Sequence, residues 1–289
     1  MSVQAGETVT HLDEIVNKSI YILREVRAEF KNPCILWSTG KDSTTILSLV
    51  REAFFGEIPW DVVHIDTGWQ FEEVYEFREM LQEEWGFNLV IAKSPLAGKI
   101  NPRFSNISHF ECCIKLKTKP LRDVIEKNGY DAVIVSIRRD EHAMRNIERV
   151  FSPRDREFRW RLVREKSSMI GDAPFESLQP IELWDLFRNY FKDAHHIRVH
   201  PILHWTEVDV WRYIKTRRLP TNPLYFSKDG RRFRSIGCKT CSVPIPSHAS
   251  SIDEIIEEVL TSTETEREGR VQDKEEEHIM RRLRALGYM

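Results

Sequence analysis

The chain has 289 residues, of which 41% are apolar, 43 are basic and 45 are acidic, so its formal net charge is -2. This length and composition predict one sizeable hydrophobic core, alone or with a small appendage. The balanced charge excludes a strongly basic or acidic binding protein. No apolar run approaches the roughly 20 residues of a membrane span, and the N-terminus lacks a signal-peptide pattern. We expect a cytoplasmic protein without a membrane partner, and self-association into a homo-oligomer stays open.

Strand and helix patterns alternate along most of the chain. An amphipathic helix is predicted over about residues 12–30. Apolar runs of strand length follow at residues 34–37, 61–66, 88–94 and 131–137 and again from residue 196, with helical patterns between or after them. This order predicts an α/β fold, a parallel twisted sheet with helices on both faces in the Rossmann-like manner. Thr206 and Asp209 have the spacing of a capping box, and Gly129 that of a helix C-cap.

Three regions are expected. They are an N-terminal helix (1–32), a nucleotide-binding α/β domain (33–220) and a C-terminal segment with outer helices (221–289). Residues 154–179 carry a weak pattern and much charge, which favours a loop or lid. Ligands of open α/β sheets bind at the carboxyl ends of the strands, where the polar motifs of this chain also fall.

The most informative of these motifs follows the first predicted strand. It consists of Ser38, Thr39, Gly40, Lys41, Asp42 and Ser43. A tight turn before a helix offers backbone N–H groups to an oxyanion, the hydroxyls can donate hydrogen bonds, and Lys41 brings positive charge. The spacing is too short for a Walker A loop. The motif therefore predicts a phosphate-binding turn of another kind.

A second motif, Asp66-Thr67-Gly68, follows the next predicted strand. At the shared edge of a parallel sheet its carboxylate could hold Mg²⁺ or a ribose hydroxyl. It is therefore a further candidate for the nucleotide site.

A third motif, Arg138-Arg139-Asp140, follows a later strand. Its two arginines suit bidentate contacts with an oxyanion, and a structural cluster of ion pairs is the alternative. We expect these residues to belong to the catalytic site.

The turn at residues 38–43 resembles the SGGKDS pyrophosphate loop of the N-type ATP pyrophosphatases, which split ATP between its α- and β-phosphates. Thr39 stands where that family has glycine. With "ELWDLF", "HHIRVHPILHWTEVDVWRYI" and "STETEREGRVQD" further along, the chain resembles the small, catalytic subunit of the heterodimeric sulfate adenylyltransferase, from about residue 12 onward. The resemblance implies ATP and Mg²⁺ as cofactors, sulfate as the small oxyanion substrate and a GTPase large subunit as partner. Lys41, Asp42, Arg138, Arg139 and Asp140 are then the expected catalytic residues.

Four cysteines form a second pattern. Cys112 and Cys113 are adjacent, and Cys238 and Cys241 form a C-x-x-C far downstream. This set resembles the [4Fe-4S] ligands of adenylyl-sulfate reductases. Four thiolates can hold a cluster or zinc, although adjacent cysteines suit tetrahedral zinc poorly. Unconnected buried thiols remain the alternative, and Cys34 is expected to serve packing.

Two other functions stay open. The ATP pyrophosphatase of DNA phosphorothioation systems shares the loop and the cluster, and this resemblance implies DNA and a cysteine desulfurase as partners. DNA would then bind a local set of basic residues, Arg217, Arg218, Arg231, Arg232 and Arg234. A nucleotide sensor without turnover is disfavoured by the intact Lys41-Asp42-Ser43. Reduction of a sulfonate is disfavoured because no cysteine follows Cys241.

Overall fold

The computed structural model describes residues 10–141, 145, 148–160, 194–262 and 266. Six strands form one sheet in the order β3-β2-β1-β4-β6-β5. The strands are β1 (Pro33–Leu36), β2 (Asp61–Asp66), β3 (Leu89–Lys93), β4 (Ala132–Ile134), β5 (Phe151–Arg154) and β6 (His196–Val199). All neighbours pair in parallel except β5, which runs antiparallel to β6.

The helices cover the sheet and join its strands. They are α1 (His11–Glu29), α2 (Lys41–Ala53), α3 (Glu72–Trp85), α4 (His109–Cys113), α5 (Lys119–Asn128), α6 (Glu207–Arg217) and α7 (Ile252–Thr261). A five-residue π-helical segment, Ile114–Thr118, connects α4 to α5 without a break. A two-stranded ribbon, β7 (Arg231–Arg232) with β8 (Ile245–Pro246), precedes α7. The alternating α/β arrangement predicted from the sequence is confirmed.

The centre of the sheet is apolar because helices shield both faces of its parallel strands. Every residue of β1 and β4 is buried. β1 lies between β2 and β4, and the chain winds first to one side of β1 and then to the other. This reversal opens a crevice at the carboxyl ends of β1 and β4, where doubly wound sheets bind ligands.

Local signals in the sequence fix several helix ends. Thr206 and Asp209 form the expected capping box of α6, and Gly129 ends α5 with a left-handed φ of 66°. Thr10 and Asp13 form an equivalent capping box on α1. None of the helices in the described ranges is both long and apolar enough to span a bilayer.

The antiparallel strand β5 was not predicted. Its sequence, Phe-Ser-Pro-Arg, has little strand character, and its pairing with β6 creates the strand. Because β5 runs against its neighbour, the sheet is mixed at this edge rather than wholly parallel. The predicted loop or lid at residues 154–179 lies largely outside the described residues, as do "ELWDLF" and the predicted helix at the C-terminus.

Candidate functional site

A cavity of about 160 Å³ occupies the crevice at the carboxyl ends of β1, β2 and β4. Its apolar wall is formed by side chains at or near these strands and α3: Leu36, Trp37, Val63, Ile65, Val74, Val135 and Ile137. Four residues of the turn at 38–43 line the cavity, namely Ser38, Gly40, Asp42 and Ser43, and Lys117 and Cys238 line it where it borders a second cavity. An apolar slot flanked by polar groups suits a ligand with a flat ring and anionic groups.

The predicted phosphate turn forms the head of α2. The helix begins at Lys41, and its N-cap, Gly40, provides no side-chain cap. The hydroxyls of Ser38 and Ser43 lie 3.2 Å apart, and Ser43 Oγ also donates to Gly40 O at 3.1 Å. An N-terminus without a side-chain cap carries the positive end of the helix dipole, so the geometry of this turn favours an anion.

Tyr225 closes the turn from the C-terminal part of the chain. Its hydroxyl accepts a hydrogen bond from Lys41 N at 2.9 Å. A Cβ at Gly40 would lie 3.3 Å from both Tyr225 Oη and Ser38 Oγ, so only glycine fits here without displacing a neighbour. Sequence analysis did not identify Tyr225, because nothing in its local pattern indicates a contact with a residue so far along the chain.

Thr39 adopts a backbone conformation that glycine tolerates better. Its φ is 62°, in the left-handed region that β-branched residues rarely occupy. Its hydroxyl is buried and has no hydrogen-bond partner among the described residues. Thr39 is therefore a strained residue, and it stands where the SGGKDS loop of the N-type ATP pyrophosphatases has glycine.

Charged side chains crowd the phosphate end of the cavity. Lys41 Nζ pairs with Asp42 at 3.1 Å and also with Glu266, and Arg138 pairs with both of these carboxylates. Burial alone would raise the pKa of Glu266, but the charges of Lys41 and Arg138 hold that pKa well below its usual range. Although burial opposes the charged form of Arg138, the surrounding carboxylates, Glu266 first, raise its pKa. Glu266 and Arg138 are therefore both charged at neutral pH.

The three residues of the third motif are placed differently. Arg138 is fully buried beside the phosphate turn. Arg139 contacts His204 Nδ1 at 2.7 Å and Glu148 O at 3.0 Å, and it does not line the cavity. Asp140 accepts from Arg138 Nε at 3.0 Å and from the backbone N–H of Glu207 at 2.7 Å, which ties it to the start of α6.

Asp66 is engaged within its own turn. One carboxylate oxygen accepts from Gly68 N at 2.8 Å and Tyr75 Oη at 2.9 Å, and the other pairs with Lys93 Nζ at 2.7 Å. Burial acts to raise the pKa of Asp66, but these hydrogen bonds, led by that of Lys93, lower it overall. Of this motif only Thr67 lines the cavity. Asp66 thus positions Thr67 rather than facing the cavity itself.

Lys117 and Arg145 are cationic side chains that line the cavity. Arg145 is buried and pairs with Glu141, which also lines the cavity. Lys117 belongs to the π-helical segment, and π turns within helices are frequent at functional sites. Neither residue was identified from the sequence. The only available signal was that Lys117 lies four positions after the adjacent cysteines.

The four predicted ligand cysteines come together around a second, smaller cavity of about 10 Å³. Cys112 and Cys113 reach it from the end of α4, and Cys238 and Cys241 from a turn in which Cys241 N donates to Cys238 O at 2.9 Å. Thr67, Lys117 and Cys238 line both cavities and form the wall between them. Cys34 is buried in β1, which agrees with a packing role.

The four cysteines match the number of ligands of an iron–sulfur cluster, and all four line the same small cavity. Burial and then the neighbouring thiols raise the pKa of Cys112 to about 12, so a bound metal would have to displace protons. No three His, Cys, Asp or Glu side chains in the described ranges lie close enough to hold one metal ion. A multi-iron cluster spreads its ligands wider than a single ion does.

The arginines considered for DNA binding are mostly neutralised. Arg232 is fully buried and pairs with Glu258 at 2.6 Å, and Arg234 pairs with Glu207 at 2.8 Å. Arg217 pairs with Glu52 at 2.8 Å. Only Arg218 and Arg231 of the predicted set are exposed without a described ion pair. The predicted basic surface is therefore not formed as expected.

Comparison with known proteins gives concordant results. The protein-family model of the phosphoadenosine phosphosulfate reductase domain matches residues 32–244 of this chain. The sulfate adenylyltransferase subunit 2 proteins of Proteus mirabilis and of a Sulfurovum species are each 36% identical to this chain. The alignments cover 97% and 98% of it and 98% of each relative.

Solved structures show the same fold at low sequence identity. Phosphoadenylyl-sulfate reductase from Candida auris, in a phosphate complex, has a TM-score of 0.52 and 17% identity, over 84% of this chain and 100% of that one. Candida glabrata FMN adenylyltransferase in complex with ATP has a TM-score of 0.54 and 14% identity, over 95% and 92%. Because the family model matches residues 32–244, well over half of its length, the chain belongs to the phosphoadenosine phosphosulfate reductase domain family.

Proposed function

We propose that this protein is an ATP-dependent adenylyltransferase that transfers AMP to sulfate and releases pyrophosphate. The observation that carries the proposal is the turn at residues 38–43, where the head of α2 and the residues Ser38 and Ser43 line an apolar slot and the buried Lys41 pairs with two carboxylates that also line it. The near full-length similarity to sulfate adenylyltransferase subunit 2 proteins supports sulfate as the acceptor.

We propose a role for each part of the cavity. The apolar slot takes the adenine ring, and the turn at residues 38–43 takes the β- and γ-phosphates, with Thr67 beside the nucleotide. A sulfate oxygen forms a bond to the α-phosphorus while the bond from that phosphorus to the bridging oxygen breaks. The electron pair leaves on pyrophosphate. Lys41 stabilises the negative charge that develops there, so no side chain has to act as a nucleophile.

Magnesium would enter with ATP. Asp42 lines the cavity at the phosphate turn and would meet it there in exchange for its contacts with Lys41 and Arg138, whereas Asp66 does not line the cavity. The metal would offset the charge of the phosphates.

For the acceptor we propose Lys117 and Arg145 in place of Arg139. Both side chains line the cavity, Lys117 where it borders the second cavity and Arg145 beside its partner Glu141, and their positive charge suits a dianion such as sulfate. Arg139 contacts His204 and the backbone of residue 148 instead, outside the cavity. Its expected role is structural, through these contacts with His204 and residue 148.

Cys112, Cys113, Cys238 and Cys241 would hold a [4Fe-4S] cluster. When bound, the cluster would join α4 covalently to the turn at residues 238–241 and so stiffen the wall between the two cavities. Thr67 Oγ1 lies 3.4 Å from Cys238 Sγ, which connects this wall to the nucleotide side.

A second subunit belongs to the proposal. The relatives are named as subunit 2 of their enzyme, which supports a larger partner for this chain as well. We propose that the partner is a GTPase, because adenylylation of sulfate is uphill and needs coupling to a favourable reaction.

The test is pyrophosphate release from ATP by the anaerobically purified protein, alone and with its candidate large subunit and GTP. We expect release to depend on sulfate. Single- and double-stranded DNA serve as the competing acceptors. Release stimulated by DNA and not by sulfate would overturn sulfate as the acceptor, and release stimulated by neither, with the partner present, would overturn adenylyl transfer.

A further inference from the structure

Glu266 occupies the place in the cavity where an anion would bind. Its carboxylate is buried and lines the nucleotide cavity beside the phosphate turn. One oxygen pairs with Lys41 Nζ and the other with Arg138 Nη2 at 2.5 Å. Two oxygens shared between an ammonium and a guanidinium form the same contacts that a phosphate group would form with these cations.

The guanidinium of Arg138 is fully engaged by carboxylates. Nη1 pairs with Asp42, Nε with Asp140 at 3.0 Å and Nη2 with Glu266. A phosphate can therefore gain Arg138 only when one carboxylate leaves it. Three carboxylates around two cations also repel an incoming polyanion.

Asp42 and Glu266 both pair with Lys41 and Arg138, but only Glu266 lies outside the described helices and strands and has no further described partner. Asp42 is held in the first turn of α2 by the helix backbone, and Asp140 accepts the Glu207 backbone N–H. Burial acts to raise the pKa of Glu266, but the charges of Lys41 and Arg138 lower it by more than burial raises it. The carboxylate therefore stays charged at neutral pH and competes as an anion.

We propose that Glu266 is an internal competitor of pyrophosphate, which occupies Lys41 and Arg138 in the nucleotide-free protein and exchanges with the phosphates of the ligand. The inference rests on the proposed function in so far as Lys41 binds phosphates. It predicts that the protein binds pyrophosphate more weakly than it would if Glu266 did not occupy Lys41 and Arg138. Weaker binding of pyrophosphate favours its release as a product.

The test measures the dissociation constant of inorganic pyrophosphate by calorimetry for the wild-type protein and for Glu266→Gln. Hydrogen bonds to charged groups set the scale, and we expect the variant to bind about tenfold to a hundredfold more tightly. Glu266→Asp, whose shorter side chain withdraws the carboxylate, should lie between the two. Glu258→Gln is the matched control, because Glu258 also pairs with a buried arginine, Arg232, but does not line the cavity.

The outcomes separate the two proposals. Equal or weaker binding by both Glu266 variants, with folding verified by circular dichroism, would overturn the competitor role, since a carboxylate that merely positions Lys41 weakens binding when it is lost. If Lys41→Ala binds pyrophosphate as well as wild type, the assignment of the phosphate site itself fails. Tighter binding by Glu266→Gln that disappears when Lys41→Ala is added would support both.

Discussion

The two ends of the nucleotide cavity are built in different ways. The phosphate end is built around a short continuous stretch, residues 38–43, whose geometry follows from a strand that ends and a helix that begins. The cysteine end joins two segments from distant parts of the chain, the end of α4 and the turn at residues 238–241. A local site has its shape before any ligand arrives, whereas a site assembled from two segments depends on what holds them together. We expect the phosphate end to keep its structure without a ligand, whereas the structure of the cysteine end should depend on a bound metal.

The sharpest test of the phosphate end is Lys41→Ala. Removal of the ammonium takes away a charge that stabilises the departing pyrophosphate, and loss of one such group typically costs a factor of about 100 to 1,000 in rate. Pyrophosphate release should fall by at least about 100-fold. Lys119→Ala is the control, because Lys119 lies on the surface of α5 in an ion pair with Asp123. Near wild-type turnover in Lys41→Ala would mean that the phosphates bind elsewhere.

Cys238→Ser tests the cysteine end. A serine hydroxyl is a poor substitute for a thiolate as an iron ligand, so we expect anaerobically reconstituted protein to lose most of its iron and sulfide. Cys34→Ala removes a buried thiol of β1 and should leave the iron content unchanged. Iron and acid-labile sulfide analysis provides the measurement. Wild-type protein that remains colourless and free of iron after reconstitution would refute the cluster.

Asp66→Asn tests the wall between the two ends, because Asp66 positions the turn that carries Thr67. Loss of its charge-assisted hydrogen bonds should lower the free energy of unfolding by about 1–3 kcal/mol at pH 7. The folded-state pKa of Asp66 is depressed, so its contribution is present above the unfolded value of about 3.9 and is lost as the pH falls through the folded value.

The difference between wild type and Asp66→Asn should therefore shrink below about pH 4, as followed by urea unfolding from pH 7 to pH 3. Asp123→Asn, at an exposed ion pair, should change stability little at any pH. A difference for Asp66→Asn that is independent of pH would contradict a role for the charge.

The smallest effect is expected at Thr39. Replacement by glycine should relieve the strain of a left-handed φ and raise the free energy of unfolding by about 1 kcal/mol. Thr39→Ala separates the two causes, because alanine removes the buried hydroxyl but keeps the backbone strain. If alanine stabilises as much as glycine, the unpaired hydroxyl rather than φ is responsible. Thermal unfolding followed by circular dichroism compares the three proteins.

Neighbouring residues show how far sequence patterns reach. The capping box of α6 and the glycine that ends α5 were predictable, since each depends on residues within one helical turn. Arg138 and Arg139 look equivalent in the sequence, yet one is buried at the phosphate turn and the other contacts His204. Both lie in the loop after β4, where no periodic pattern sets the direction of a side chain, so their partners depend on what packs there.

Neither the strand β5 nor the burial of particular arginines could be predicted from the sequence. β5 exists because β6 offers it a free edge, and Arg232 is buried because Glu258 and Ser247 receive its hydrogen bonds. Such partners are specified by packing and not by local propensity.

The sequence by itself determined the alternating α/β fold, the phosphate turn and the four candidate cysteines. Each depends on short-range spacing, since a strand, a glycine and a helix N-terminus within a few residues can bind an anion wherever they occur. Only the tertiary structure decided that Glu266 and Tyr225 close the phosphate end and that Lys117 and Cys238 border both cavities. Those contacts join distant segments through sheet order and helix packing, which no local pattern encodes.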